Sequence, residues 1–134
     1  MLDSIFGPYK KYATLVLRIG LAIVFIAHGW GKVTGIEGTA GFFAKVGIPL
    51  SSFFAYVVAA VEFGGGILIL LGVFTRIAAA LIAIVMIVAI FTVKLSQGFL
   101  GGYELDFILL CVAIALMLMG NGPVALGSSV EEAI

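Results

Sequence analysis

The sequence predicts an all-α integral membrane protein, a four-helix bundle with a short interfacial helix between spans 1 and 2. Apolar residues make up 63% of the 134 residues and charged residues only 10%, which is too little charge to cover a soluble surface. The apolar residues form four segments of about 20 residues, the length that an α-helix needs to cross a bilayer. Strands are disfavoured because these segments do not alternate in polarity.

The four predicted spans form one domain, residues 1–134, and short joints connect most of them. The joint "GVFTR" between spans 2 and 3 predicts a tight antiparallel hairpin. The first joint is longer, and its residues 39–46 predict a short amphipathic helix at the membrane interface that ends at Gly47 and Pro49. The tail after Met119 is turn-rich and is expected to be exposed. The predicted spans cover residues 12–32, 52–74, 76–94 and 103–120.

Composition also narrows the function classes. The formal net charge is zero, so nothing in the charge balance indicates nucleic-acid binding. Cys111 is the only cysteine and His28 the only histidine, so an intrachain disulfide is excluded and no metal site is predicted. Cys111 could still pair transiently with a partner or a substrate.

The first span carries three basic residues on one broad stripe. At about 100° per residue, Arg18, His28 and Lys32 fall within about 80° of one another, with Phe25 between them. A charge in the middle of a membrane costs about 2.5–3.5 kcal/mol on insertion scales, so the presence of each of these basic residues requires a functional or structural explanation. A structural explanation stays open: Lys32 can snorkel to the headgroups, Arg18 can form a structural ion pair, and His28 can be an interfacial side chain. Trp30 is typical of the membrane–water boundary.

Glu62 lies near the middle of the second span on a face of small residues that includes Gly66. Small faces allow close helix packing in lipid, so Glu62 is expected to point into the bundle. A buried carboxylate needs a cation or a proton, and Arg18 and His28 are the expected partners. If Glu62 pairs only with Arg18, the contact is a structural ion pair. If Glu62 exchanges a proton with His28, the two residues are catalytic.

The fourth span begins with "YELDF", which places Glu104 and Asp106 where a helix dipole favours anions. Glu104 shares a side of the helix with Cys111, so we expect Glu104 to face the bundle and Asp106 to be an interfacial charge.

These motifs resemble the DoxX family of small four-helix membrane proteins. The resemblance extends over residues 17–127 and includes "LRIGLAIVFIAHGWGKV", "GFFAKVGIP", "VEFGGGILILLGVFTRIAA", "YELDFILL" and "GNGPVALG". It implies a subunit or partner of a membrane redox system, in quinone-linked thiosulfate oxidation, thiol-stress defence or reduction of quinone-like compounds.

The favoured hypothesis is a quinone site beside Glu62, with His28 and Glu62 as catalytic groups. Histidine is suited to proton transfer near neutral pH, and a cation can stabilise a developing oxyanion. Electrons would come from a redox partner, a bound cofactor or a thiol. The alternatives are a non-catalytic anchor or assembly subunit and a small-solute transporter, the latter as a homo-oligomer. The expected substrate-binding residues are Arg18, Phe25, Trp30, Lys32, Gly66 and Glu104.

The expected location is the cytoplasmic (inner) membrane, with several passes and both termini on one side. Basic residues are balanced between the two sides, three against three, and Arg18 favours cytoplasmic termini. The residues compared are Lys10, Lys11 and Arg76 against Lys32, Lys45 and Lys94.

Overall fold

A computed structural model describes residues 1–127, and every regular element in that range is helical. The predicted all-α class is therefore confirmed. A short α1 and a 3₁₀ turn, Gly7–Tyr12, lead into the first long helix. The α-helices are α1 (Leu2–Phe6), α2 (Ala13–Thr34), α3 (Ile36–Lys45), α4 (Ser51–Leu71), α5 (Thr75–Ala89) and α6 (Glu104–Met119).

Four continuous helical stretches in the described range are long and apolar enough to cross a membrane. Their number is the predicted one, and their ends lie within four residues of the predicted ends except at the start of the first stretch, which begins ten residues earlier, at Leu2, because short helical turns precede the apolar run. The protein is thus a multi-pass membrane protein in a lipid bilayer. The four stretches are Leu2–Thr34, Ser51–Leu71, Thr75–Gln97 and Phe99–Met119.

The bundle closes as a ring in which α2 packs on α4, α4 on α5, α5 on α6, and α6 on α2. Its core combines small and large apolar side chains. In lipid no hydrophobic effect drives helices together, so helix association depends on close packing, which small residues allow. The largest members interlock around the alanines at the centre. The buried core includes Leu21, Ala22, Phe25, Ile69, Ala78, Ala79, Ile82, Ala113 and Leu116.

The turn between α4 and α5 is the predicted tight hairpin. Gly72 adopts a left-handed φ of 71°, and its N–H donates to Ile69 O at 3.2 Å while the Val73 N–H donates to Leu68 O at 2.9 Å. These bonds are those of a helix that ends at a left-handed residue. Phe74 also adopts a left-handed φ of 51°, which is uncommon for a bulky residue, so two left-handed residues reverse the chain within one turn.

The predicted short helix in the first joint is present as α3, but it begins at Ile36 rather than at residue 39. Gly35 breaks α2, and helical backbone resumes immediately after it. The helix ends before Gly47, whose φ is 84°, as predicted. It packs along the first half of α4. An interfacial location for α3 stays a prediction.

The carboxyl-terminal segment, residues 120–127, closes one end of the bundle, and the expected exposure of the tail holds for only some of these residues: Val124 and Leu126 are exposed, whereas Gly127 is buried. Asn121 is 2% exposed. The Leu126 N–H donates to Leu71 O at 3.1 Å, and the Gly127 N–H donates to Gly72 O at 3.0 Å. The reason is that a helix end leaves carbonyl groups without intrahelical donors, and this segment supplies donors to them. Residues 128–134 lie outside the described range.

Candidate functional site

Lys32 and Glu62 form an ion pair between α2 and α4. Lys32 Nζ lies 2.8 Å from Glu62 Oε2, and the two side chains are 25% and 4% exposed. The predicted inward orientation of Glu62 is confirmed. Its partner is different from those expected, because the antiparallel register of α2 and α4 places Lys32, rather than Arg18 or His28, within reach of the carboxylate.

Glycines bring α2 and α4 close enough for this pair to form. A Cβ atom at Gly29 would overlap the backbone of Phe63, the residue after Glu62. A Cβ atom at Gly66 would lie 2.9 Å from Ile26 Cγ1 and 3.0 Å from Ile26 N. The two backbones therefore touch at two successive points on the Arg18 side of the ion pair, which requires residues without a side chain at Gly29 and Gly66. Gly66 packs against α2, and its expected contact with a substrate stays a prediction.

Arg18 is fully buried, but it lies at the opposite end of α2 from the ion pair. Its guanidinium donates four hydrogen bonds to main-chain carbonyls at the end of α4 and in the carboxyl-terminal segment. The acceptors are Ile69 O at 2.8 Å, Leu70 O at 2.9 Å, Asn121 O at 3.1 Å and Val124 O at 2.6 Å.

The expectation that Arg18 pairs with Glu62 was therefore wrong. Fourteen residues of helix separate Arg18 from Lys32, which is about 21 Å along the axis. The positive charge at Arg18 instead stabilises the negative end of the α4 dipole. Its role in this structure is to join two segments of the chain.

His28 lies one turn before Lys32 on α2 and is exposed. The structure does not bring its imidazole into hydrogen-bond contact with Glu62, and His28 makes no hydrogen bond with any other described residue. The position still places a titratable group about 40° around the helix from Lys32, on the same edge of α2.

Trp30 does not share that edge with His28, and Phe25 is buried in the core. Trp30 is 57% exposed, and its ring lies 5.8 Å from the Phe63 ring, tilted by 41°. Residues two apart on a helix point about 160° away from each other, so one flat head group cannot touch both His28 and Trp30. Phe25 is 1% exposed and belongs to the core.

Glu104 does not face the bundle, and the expectation that it does was wrong. Glu104 is exposed, and its Oε1 accepts a hydrogen bond from the Gly101 N–H at 2.9 Å, which caps the bend before α6. Asp106 is the more enclosed carboxylate, with a side chain 16% exposed and 4.0 Å from Lys94 Nζ. Cys111, which shares the Glu104 side of α6, is exposed too, so this side of the helix faces away from the bundle.

Two buried polar residues at the Arg18 end were not singled out from the sequence. The Asn121 side chain accepts a hydrogen bond from the Thr75 N–H at 3.3 Å, so it caps the start of α5 from another part of the chain. Thr75 is fully buried. The available signal was the asparagine of "GNGP", two residues after α6, because asparagine side chains often cap the start of a helix.

The ion pair leaves hydrogen-bonding capacity unused. An ammonium group has three N–H donors, and Lys32 uses one of them on Glu62. Glu62 Oε1 accepts no hydrogen bond within residues 1–127, yet it is not among the fully buried polar atoms without a partner. The pair can therefore offer two donors and one acceptor to a molecule that enters between the helices.

The family follows from the same region of the chain. The sequence profile of DoxX matches residues 13–95, which contain both members of the ion pair and Arg18. This chain belongs to the DoxX family. The profile match does not extend to Glu104 or to the carboxyl-terminal segment.

Several DoxX relatives are membrane proteins by name. A Bacillus subtilis protein named "Putative oxidoreductase CatD" is 47% identical over 87% of this chain and 85% of its own length. The Escherichia coli "Inner membrane protein YqjF" is 43% identical over half of each chain. The Escherichia coli "Inner membrane protein YphA" is 36% identical over 53% of this chain and 51% of its own length. No solved structure matches.

Proposed function

We propose that this DoxX protein is the quinone-binding membrane subunit of a redox system, with the Lys32–Glu62 pair as its site. The observation that carries the proposal is an ion pair between two membrane helices that keeps two N–H donors and one carboxylate oxygen available. Ionisable side chains inside membrane spans most often mark functional sites because their burial is costly. The name of the Bacillus relative supports an oxidoreductase role.

The ion pair can form hydrogen bonds with both the oxidised form, the quinone, and the reduced form, the quinol. A quinone carbonyl oxygen accepts a hydrogen bond from Lys32 Nζ, whose charge stabilises the negative charge that develops as electrons arrive. A quinol hydroxyl donates to Glu62 Oε1. Because Lys32 is 25% exposed and Glu62 only 4%, the ligand approaches from the Lys32 side, where His28 also lies. His28 is the proton carrier between this site and water.

Reduction of the quinone requires two electrons and two protons, and a partner protein with two thiols can supply both. Its two thiols lose two electrons and two protons and become a disulfide, while the quinone gains both and becomes the quinol. The partner supplies the electrons, and Lys32, Glu62 and His28 bind the ring and transfer protons. The chain works in the cytoplasmic membrane with both termini on the cytoplasmic side, and it associates with this partner or with further copies of itself.

Quinone binding to the purified protein tests the proposal. Short-chain benzoquinone and naphthoquinone analogues are titrated against the parent chain, Lys32→Met and Glu62→Gln, with thermal unfolding measured in parallel. Loss of a hydrogen bond to a charged group weakens binding about tenfold or more. Lys45→Met is the matched control, because Lys45 is an exposed lysine at the end of α3. Equal affinity of all four proteins would show that the site is elsewhere.

A non-catalytic anchor or assembly role is the second candidate. It is favoured by the direct contact between Lys32 and Glu62, since a pair that satisfies itself needs no ligand. In that case the two substitutions lower stability or the recovery of a partner protein, and neither the parent chain nor the variants bind quinone.

A further inference from the structure

The groove between α3 and the first half of α4 contains a second candidate site, separate from the ion pair. It is a cavity of about 320 Å³, near the lower limit for pockets that hold small organic molecules. Five residues line it: Ile36, Glu37, Ala40, Ser52 and Tyr56. They come from two helices, so the cavity exists only because α3 folds back along α4.

The lining offers one negative charge and no positive charge. Glu37 lies in the first turn of α3, where the helix dipole stabilises a carboxylate. Tyr56 contributes an aromatic ring and a hydroxyl group, and Ser52 a second hydroxyl. A carboxylate beside an aromatic ring attracts an organic cation through both charge and the ring quadrupole.

The same lining disfavours a bare metal ion. Within residues 1–127 no group of three or more His, Cys, Asp and Glu side chains is placed to hold a metal. Ile36 and Ala40 give the cavity an apolar floor, which suits the carbon atoms of an organic ligand. The hydroxyl groups of Ser52 and Tyr56 favour a cation that can donate hydrogen bonds.

The position of the cavity along α4 indicates its depth in the membrane. Tyr56 is 64% exposed and lies near the start of α4. Exposed tyrosine and tryptophan side chains of membrane proteins concentrate at the headgroup level. Six residues of α4 separate Tyr56 from Glu62, about 9 Å along the helix, so this cavity lies nearer the membrane surface than the ion pair.

We infer that the cavity lined by Glu37, Ser52 and Tyr56 binds a primary organic ammonium group, with Glu37 as its counter-ion and the Tyr56 ring against its carbon atoms. Two sources carry that chemistry, the headgroup of an ethanolamine phospholipid and a free primary amine. The inference does not depend on quinone binding at Lys32 and Glu62.

Native mass spectrometry of the full chain in detergent tests the lipid source. Phosphatidylethanolamine, phosphatidylcholine and phosphatidylglycerol are added singly to the parent chain, Glu37→Gln and Tyr56→Leu. Because Glu37 is exposed, we expect its neutralisation to weaken phosphatidylethanolamine binding about threefold to fivefold. Asp3→Asn is the matched control, since Asp3 is an exposed acid in α1, before α2 begins.

Calorimetric titration with hexylammonium chloride tests the free-amine source on the same proteins. A preference for phosphatidylethanolamine that Glu37→Gln removes supports the site with a lipid in it. Hexylammonium binding that Glu37→Gln removes, without a lipid preference, supports the same site with a soluble amine. If Glu37→Gln and Tyr56→Leu match the parent chain with every probe, the inference is overturned.

Discussion

Lys32 Nζ and Glu62 Oε2 lie 2.8 Å apart and join the end of α2 to the middle of α4. This contact decides which charges in the membrane neutralise one another. It leaves Arg18, the other buried cation, to a separate role at the far end of the bundle.

Removing one member of the Lys32–Glu62 pair is expected to destabilise the bundle unequally. Lys32→Met leaves a carboxylate that is 4% exposed without its cation, which costs about 3–5 kcal/mol. Glu62→Gln costs less, because the 25%-exposed Lys32 can extend towards water. The double variant should recover part of the loss. Unfolding of all four proteins in detergent gives the coupling energy, and strictly additive effects would show that the two side chains do not interact.

Replacing Arg18 is expected to lower stability without weakening quinone binding directly. Arg18→Lys cannot reproduce four hydrogen bonds to four carbonyls, and carbonyls left without donors cost about 1–3 kcal/mol each. Lys11→Met, at an exposed lysine, is the control. Quinone affinity is compared at a temperature where every variant is folded. A selective loss of quinone affinity in Arg18→Lys would show that Arg18 belongs to the quinone site.

Two glycines in "HGWGK" should respond in opposite ways to alanine. Gly29→Ala forces a Cβ atom into the backbone of Phe63, so overpacking should cost about 1–3 kcal/mol and weaken the Lys32–Glu62 contact. Gly31→Ala meets open space and should be neutral or raise stability by up to about 1 kcal/mol through helix propensity. Thermal unfolding distinguishes them. Equal effects would mean that α2 and α4 are farther apart than described.

The closing role of the carboxyl-terminal segment can be tested at Gly72. Gly72→Ala places a Cβ atom against Ala125 and the Arg18 guanidinium at a φ of 71°. Gly101→Ala has the same φ of 71°, with a ψ of 0°, and meets nothing within 4 Å, so it isolates a backbone strain of about 1–2 kcal/mol. We expect Gly72→Ala to cost more and to speed hydrogen exchange at the Gly127 amide. Equal stability losses would contradict the packing of residues 120–127.

Much of the fold was predictable, because a helix that crosses a bilayer needs about 20 predominantly apolar residues. Span length and uniform apolarity located all four long helices, and Gly72 marked the hairpin. The orientation of Glu62 was also predictable, since its small neighbours on α4 define the packed face. These features depend on local sequence and on the angle around a single helix.

The partners of the buried charges were not predictable in the same way. A helical projection places Arg18 and Lys32 on one face of α2 but does not give the height of either against α4. That height depends on the antiparallel register, which the contacts at Gly29 and Gly66 determine. Glu104 was misplaced because Cys111, which shares its side of α6, is itself exposed, so that side of the helix does not face the bundle.

The hydrogen bonds of Arg18 impose an order on membrane assembly. Asn121 and Val124, which supply two of its four acceptors, are more than 100 positions later in the chain. A ribosome has therefore synthesised all four membrane helices before this cation can acquire its complete set of acceptors. Until then, the guanidinium lacks the acceptors at Asn121 and Val124, so insertion of the last helix and of the segment after it completes this part of its hydrogen bonding.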